Sequence, residues 1–219
     1  MLKIMLVQTP SRIRKADFGS WTKENQSVVS RIIGDEGHAG HLKKVTEVIL
    51  DENGGLEWEI PENSTLIILT LYGKIRINGF RKIISPENVF TLKSTKKSKV
   101  SIKNYLSAEK SDFLMIELQS LRPENAFFTE ELRIGKRNIL FPVSEKLEFP
   151  NFIGLYEGRK EQVYALHHPD TSIFGMVING AFEFQNRLLE TRDAIVLHGI
   201  ETLEFEALSE NALVFFFEI

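Results

Sequence analysis

Short apolar stretches separated by turn-forming residues organise the whole sequence. They recur roughly every 8–12 residues and are rich in β-branched and aromatic side chains, which is typical of strands in a sandwich or barrel. Helical periodicity is scarce, although residues 123–135 could hold one short helix. The pattern therefore predicts an all-β protein. In the first half the predicted strands are residues 45–50, 66–72, 75–77, 89–92, 100–102 and 113–118.

The second half of the chain repeats the order of the first. Gly73 and Gly180 each follow a long apolar stretch and precede an alternating one, and both halves end on similar strands, residues 113–117 and 214–218. The offset between equivalent positions is about 101–108 residues throughout. An ordered series of this kind indicates an internal duplication. We predict two domains, residues 1–120 and residues 121–219.

The repeated succession of strand, glycine, strand, turn and strand resembles a bicupin, and more narrowly the pirin-like, quercetinase-like bicupins. Residues 173–219 match best, and there the family's usual Gly-Asp turn appears as Arg192-Asp193. The resemblance implies two tandem cupin barrels, which are double-stranded β-helices of jelly-roll type. It also implies that an N-terminal segment pairs with the second barrel, and residues 2–7 contain a suitable strand.

Catalytic members of the cupin superfamily hold a transition metal, such as Fe, Ni, Mn or Cu, through about three histidines and a carboxylate. Counted back from Gly73, the family's Glu position is Leu66, and the His positions fall within residues 59–62, which contain no histidine. Counted back from Gly180, the Glu position is Ile173. The remaining positions of the second barrel are Leu166, His168 and a residue near Thr202. We predict no intact metal site and no cofactor.

Three residues of the second half are candidates for a ligand pocket: Tyr164, His168 and His198. His167 and His168 are adjacent, so on a strand they point to opposite faces and only one can enter the barrel. Alignment of the two halves on their prolines favours His168, whereas alignment on their glycines favours His167. We take His168 as the inward residue. His198, which precedes Gly199, also suits an ordinary turn.

The remaining histidines, His38 and His41, flank two glycines and are expected in an exposed loop. No glycine loop for phosphate and no nucleophile elbow is present. The chain has no cysteine, which excludes disulfides, thiolate ligands and a cysteine nucleophile. A net charge of −3 argues against nucleic acid as a partner. The apolar run at residues 4–7 is too short for a signal peptide, and no stretch is long enough to span a membrane, so we expect a cytoplasmic protein.

We therefore expect a non-catalytic pirin-like bicupin that binds a small apolar molecule or a protein, with a homodimer as one form of interaction. The alternative is a quercetinase-like, metal-dependent dioxygenase. Family resemblance alone supports that activity, and a fold does not imply a function. The sequence leaves open whether the protein is an enzyme. The missing metal ligands favour a protein that is not an enzyme.

Overall fold

The computed structural model describes residues 10–34, 39–78, 82–168 and 170–219. Its regular structure is almost entirely β, with a single 3₁₀ turn at Ala16–Phe18, so the all-β prediction is confirmed. Within these residues no helix is long and apolar enough to cross a membrane. In chain order the strands are β1 (Ser11–Arg14), β2 (Trp21–Glu24), β3 (Ser27–Ile33), β4 (Leu42–Leu50), β5 (Gly55–Ile60), β6 (Ser64–Tyr72), β7 (Ile75–Ile77), β8 (Ile83–Ile84), β9 (Asn88–Ser94), β10 (Ser98–Asn104), β11 (Ser111–Gln119), β12 (Ala126–Glu131), β13 (Leu140–Pro142), β14 (Asn151–Tyr156), β15 (Glu161–Ala165), β16 (Ile173–Asn179), β17 (Ala181–Phe184), β18 (Arg187–Glu190), β19 (Ala194–Leu197), β20 (Thr202–Ala207) and β21 (Ala212–Glu218).

The chain forms two compact units, and every strand lies within one of them except β13, which the boundary divides after Leu140. The N-terminal barrel comprises Asp17–Gly135 and Phe141–Glu148. The C-terminal barrel comprises Lys136–Leu140, Phe149–Ile219 and the described residues up to Ala16. These limits differ from the predicted domains, residues 1–120 and 121–219. The difference arises because β12 pairs with β9 and extends the first unit, whereas β1 pairs with β19 and joins the second.

In the N-terminal barrel, a seven-stranded sheet has the order β12-β9-β6-β11-β4-β3-β2, and a four-stranded sheet has the order β5-β10-β7-β8. Alternate residues of each strand point to one face of its sheet. The inward residues of both sheets form one apolar core, to which the larger sheet contributes Leu66, Phe90 and Phe113 and the smaller sheet contributes Ile60 and Ile102. All five side chains are fully or almost fully buried.

The C-terminal barrel repeats this arrangement, and most of its strands have numbers ten higher than their counterparts. The exceptions are at the edges of the larger sheet, where β1 takes the place of β12 and β2 has no counterpart. Its six-stranded sheet has the order β1-β19-β16-β21-β14-β13, and its four-stranded sheet has the order β15-β20-β17-β18. The core between them contains a cluster of aromatic rings. Tyr156, Phe182, Phe184, Phe205 and Phe216 contact one another at ring-centroid distances of 5.4–6.3 Å. Tilted and edge-on geometries dominate, as aromatic quadrupoles favour.

The two glycines that marked the repeat occupy equivalent turns. Gly73 has φ of +78° and Gly180 has φ of +81°, a region that side-chain-bearing residues rarely adopt. A Cβ atom on Gly73 would lie 2.5 Å from the hydroxyl of Ser111, and one on Gly180 would overlap the hydroxyl of Ser209. Each serine hydroxyl accepts a hydrogen bond from the residue after its glycine, Lys74 N or Ala181 N. The repeated glycine thus has a conformational and a steric cause.

One local prediction is wrong, and a second concerns residues that the structure does not describe. Residues 123–135 contain β12 rather than a helix, because a Phe-Phe-Thr segment pairs with β9 along its full length and that pairing overrides a weak local pattern. The predicted strand at residues 2–7 lies outside the described residues. The segment that pairs with the second barrel is β1, whose four residues are each paired with β19.

Asp193 fastens this N-terminal segment to the C-terminal barrel. Its carboxylate accepts hydrogen bonds from Lys15 Nζ at 2.6 Å and from Ala16 N at 2.8 Å. It also accepts one from Glu190 N at 2.8 Å, which closes the turn. Arg192, which stands at the Gly position of the family's turn, has a positive φ of 71°. The Arg192-Asp193 turn is therefore structural.

Substitution of the first turn glycine tests the duplicated turn. Gly73→Ala is expected to lower the free energy of unfolding by about 2 kcal/mol or more, because a left-handed backbone is unfavourable for alanine and the added Cβ overlaps neighbouring backbone. Chemical denaturation followed by tryptophan fluorescence measures it, since both tryptophans, Trp21 and Trp58, lie in the N-terminal barrel. Gly135→Ala is the control, because no heavy atom lies within 4 Å of its Cβ position. Equal unfolding midpoints for the two variants would contradict the steric explanation.

Candidate functional site

At the ligand positions that the family resemblance implies, here called the inherited ligand positions, the inward residues of the N-terminal barrel have hydrocarbon side chains. Leu66, at the Glu position, and Ile60, within the segment of the His positions, are both fully buried in the core. On β10, the inward residues are Val100 and Ile102, which join the same core. None of these four side chains offers an atom that a transition metal binds.

The C-terminal barrel is similar at its own inherited positions. Ile173, at the Glu position, is fully buried in the aromatic core, and Leu166 packs against that core. Thr202 opens β20 opposite Ala165 and is half-buried. His168 carries the one imidazole among these positions, and the residue is exposed. Within the described ranges, no three His, Asp or Glu residues lie close enough to hold a metal ion. The residues present do not fit a cupin metal centre.

A carboxylate nevertheless lies inside the N-terminal barrel, one strand away from the inherited Glu position. Glu117 on β11 is the direct cross-strand partner of Leu66 on β6, so both side chains point to the same face. Only 4% of Glu117 is exposed, and its carboxylate accepts a 2.9 Å hydrogen bond from the indole Nε1 of Trp58. The ammonium group of Lys44, the partner of Glu117 on β4, lies 4.7 Å from the centre of the Trp58 ring.

The C-terminal barrel has its carboxylate at the equivalent place. Glu218 on β21 is the cross-strand partner of Ile173 on β16, and its side chain is fully buried. The hydroxyl of Tyr164 donates to its Oε2 atom at 2.7 Å, and the backbone N–H of His167 donates to the same atom at 3.1 Å. Its Oε1 atom accepts from His168 N at 2.8 Å and from the hydroxyl of Thr171 at 3.0 Å. Glu218 thus holds the loop after β15 against the end of β21.

The hydrogen bonds determine the charge state of this cluster. Burial by itself raises the pKa of Glu218, but the bonds from Tyr164, from the backbone of His167 and His168 and from Thr171 outweigh it, so the pKa lies below its ordinary value of 4.5. Burial, and then the neighbouring carboxylate, raise the pKa of Tyr164 well above its ordinary range. The pair therefore consists of an ionised acceptor and a protonated donor.

The imidazole beside this carboxylate belongs to His167, whereas we had assigned the inward position to His168. The ring of His167 stacks on Phe152 at 6.5 Å, and its Nδ1 lies 2.8 Å from the hydroxyl oxygen of Tyr164 and 3.3 Å from Glu218. Because the Tyr164 hydroxyl hydrogen goes to Glu218, the contact with Tyr164 requires an N–H at Nδ1. His168 reaches the carboxylate through its backbone N–H, because the chain leaves β15 at Ala165 and strict alternation ends there.

The other histidines lie elsewhere. The Nδ1 atom of His198 lies 2.7 Å from the hydroxyl of Ser172. His198 follows Leu197, which faces the core, so alternation directs the imidazole away from Glu218. His41 is half-buried just before β4, rather than fully exposed, and His38 lies outside the described residues. Of the three candidates, the structure brings only Tyr164 and the backbone of His168 together.

Glu117 and Glu218 are the site residues that sequence reasoning missed. Both halves were seen to end on similar strands, Met-Ile-Glu in the first and Phe-Phe-Glu in the second. A terminal glutamate in a strand is ordinarily solvated, so its inward direction was not apparent. The available signal was the glutamate that follows an apolar run, residues 113–116 or 212–217, near the end of both strands.

Comparison with known proteins supports the architecture. A family model described as the quercetinase C-terminal cupin domain matches residues 152–219. The crystal structure of YhhW from Escherichia coli superimposes with a TM-score of 0.82 at 9% identity, covering 96% of this chain and 98% of that chain. A structure of bacterial pirin YhhW from Escherichia coli in complex with nickel(II) superimposes with a TM-score of 0.81 at 10% identity, covering 95% of this chain and 99% of that chain. No curated protein sequence matches the chain significantly.

A quercetin 2,3-dioxygenase from Acinetobacter baumannii gives a TM-score of 0.70 at 11% identity, covering 94% of this chain and 78% of that one. At identities this low, the superpositions establish a shared fold and nothing further. The predicted pirin-like bicupin architecture is confirmed by these structures together with the match of the C-terminal barrel.

The Glu218 cluster predicts a pH-dependent stability. Glu218→Gln is expected to lower the free energy of unfolding at pH 7 by about 1 to 3 kcal/mol, the usual loss when a buried charge-assisted hydrogen bond is weakened. The folded-state pKa is below 4.5, so this stabilisation is complete above that pH and is lost as the pH falls through the folded-state pKa. Thermal unfolding of both proteins between pH 7 and pH 3 measures the difference.

Glu204→Gln is the matched control, since Glu204 is exposed on β20 of the same barrel. It is expected to change stability by less than about 0.5 kcal/mol. A difference between wild type and Glu218→Gln that stays constant down to pH 3 would contradict the ionised, hydrogen-bonded state of Glu218.

Proposed function

We propose that this chain, a pirin-like cupin by its fold and by the match of its C-terminal barrel, acts as a binding or interaction protein without a cupin metal centre. The observation that carries the proposal is the chemistry of the inherited ligand positions. Leu66, Ile60 and Ile173 are apolar and fully buried, and each completes the packing of a core. A barrel with this lining provides no set of nitrogen and oxygen donors to hold Fe, Ni, Mn or Cu.

Binding at the outer surface is favoured over binding inside a barrel. Both interiors are filled by the protein's own side chains, such as Phe90 and Phe113 in the first and Phe182 and Phe216 in the second. A small apolar molecule would have to displace these groups, and close-packed interiors resist such displacement. Of the two forms of binding expected from the sequence, a protein partner therefore has more support than an enclosed ligand.

One surface feature supports a protein partner. Phe18 and Trp21 are 81% and 45% exposed. Phe18 ends the 3₁₀ turn, and Trp21 begins β2, the edge strand of the seven-stranded sheet. All four residues of β2 are exposed. Edge strands with exposed aromatic residues are common sites of pairing with other chains. A homodimer and a cytoplasmic location stay predictions from the sequence.

A quercetinase-like dioxygenase is the alternative function. It is favoured by the description of the family model that matches residues 152–219 and by the fold shared with a quercetin dioxygenase. Under that function a metal would have to bind through residues other than those at the inherited positions. The buried apolar side chains at those positions favour the non-catalytic proposal.

Metal loading separates the two functions. The purified protein is incubated with Ni²⁺, Fe²⁺, Cu²⁺ or Mn²⁺, desalted and analysed for bound metal, and each preparation is then assayed for oxygen uptake with quercetin. We expect far less than one ion per chain and no quercetin-dependent oxygen uptake, because the donor set is absent. Escherichia coli YhhW, known in complex with nickel(II), is the positive control. One tightly held ion per chain, or turnover of quercetin, would overturn the proposal.

A further inference from the structure

We infer that each barrel is closed by a hydrogen bond between an aromatic donor and a buried glutamate, which ties the two sheets of the barrel together and stands in for a metal as the link across the interior. The part of this inference in which the hydrogen bond takes the place of a metal rests on the proposed function. The tie between the sheets does not, because it follows from the positions of Trp58, Glu117, Tyr164 and Glu218 alone.

The first pair crosses the interior of the N-terminal barrel. Trp58 lies on β5, at the edge of the four-stranded sheet, and Glu117 lies on β11, in the middle of the seven-stranded sheet. These two sheets enclose the core that contains Leu66 and Phe113. The 2.9 Å bond from the indole to the carboxylate therefore joins strands that share no backbone ladder.

The second pair does the same in the C-terminal barrel. Tyr164 lies on β15, at the edge of its four-stranded sheet, and Glu218 lies on β21, inside its six-stranded sheet. The phenol-to-carboxylate distance is 2.7 Å. Strands β5 and β15 hold the same place in their sheets, as do β11 and β21. In both barrels the glutamate directly opposes the inherited Glu position, Leu66 or Ile173.

The two pairs use different chemistry for the same link. An indole N–H donates in one barrel and a phenol O–H in the other, while the acceptor is a glutamate carboxylate in both. General packing needs neither carboxylate, because burying an ionised group is costly unless donors surround it. Two buried acids at equivalent positions, each supplied with an aromatic donor from the opposite sheet, indicate a shared role as a cross-link.

The tie in the C-terminal barrel also closes its open end. The same carboxylate holds the backbone of His167 and His168 and the hydroxyl of Thr171. The loop after β15 is therefore fixed to the last strand, and a ligand approaching the interior at this end would have to break a charge-assisted bond. Such bonds are stronger than those between neutral groups. A closed end of this kind agrees with binding at the outer surface.

Double-mutant cycles test the ties. The first cycle combines Tyr164→Phe with Glu218→Gln, and the second combines Trp58→Phe with Glu117→Gln. Each single substitution is expected to raise the unfolding equilibrium constant about tenfold, the size expected for one hydrogen bond to a charged group. The second substitution, made in the presence of the first, is expected to raise it only about threefold or less, because the bond is already lost. Denaturant unfolding followed by circular dichroism provides the constants.

The chain offers a matched control pair. Tyr72 donates to Glu109 at the same 2.7 Å distance, but this bond lies on the surface and Tyr72 is 56% exposed. The cycle of Tyr72→Phe with Glu109→Gln is expected to show no measurable coupling, since exposed pairs contribute little. If the unfolding equilibrium constants of the two buried cycles change by the product of the single effects, as expected for the surface cycle, the cross-sheet ties are overturned.

Hydrogen exchange gives a second measurement that needs only a well-folded single variant. Tyr164→Phe is expected to speed exchange of the His167 and His168 amides, which donate to Glu218, while the Val214 and Phe216 amides in the centre of β21 keep their wild-type rates. Unchanged exchange at His167 and His168 would contradict the closure of this end.

A chelation experiment tests separately whether the hydrogen bond takes the place of a metal. Long dialysis against EDTA, followed by addition of Ni²⁺, is expected to leave the melting temperature of the wild type unchanged. A melting temperature that falls with EDTA and recovers with Ni²⁺ would overturn the metal-free link and the proposed function together. The double-mutant cycles would still report whether each tie between sheets exists.

Discussion

A carboxylate buried between two β-sheets must be supplied with hydrogen-bond donors, and this requirement shapes one end of each barrel. Glu117 takes its donor from an indole and Glu218 from a phenol, in each case on a strand of the opposite sheet. Glu218 additionally gathers two backbone N–H groups and a hydroxyl from the loop after β15. The position of that loop, the charge state of the glutamate and the closure of the C-terminal barrel all follow from satisfying one buried acid.

The internal duplication shows which features of a barrel can vary while its geometry stays the same. Both halves place a left-handed glycine and a serine hydroxyl at the same turn, since the close approach of the chain there leaves no room for a Cβ atom. The cores differ much more, since the first is largely aliphatic whereas the second adds a group of phenylalanine and tyrosine rings to its aliphatic residues. Apolar cores accept many compositions of similar volume, whereas a steric constraint at a turn accepts very few.

The residue types at the inherited ligand positions are the basis of the proposal that this chain binds a partner rather than a catalytic metal. A cupin barrel is catalytic through the donors that converge on its metal, and in this chain Leu66, Ile60 and Ile173 at those positions belong to the hydrophobic cores. The resemblance to a quercetin dioxygenase and to a nickel-binding pirin therefore describes the scaffold. The proposal of a protein partner depends on the outer surface, where Phe18 at the end of the 3₁₀ turn and Trp21 at the start of β2 are exposed aromatic residues.

The sequence by itself determined the strands, the repeat of their order and the residue types at the positions where the family resemblance places metal ligands. These depend on alternation, on turn residues and on residue type at fixed spacing, all of which are local. The tertiary structure decided that Glu117 and Glu218 point inward, that His167 rather than His168 lies beside Glu218, and that β1 and β12 complete the larger sheets. Each of these outcomes depends on which strand pairs with which, and in what register. Such partners are far apart along the chain, and a one-residue shift in register would turn every side chain to the other face.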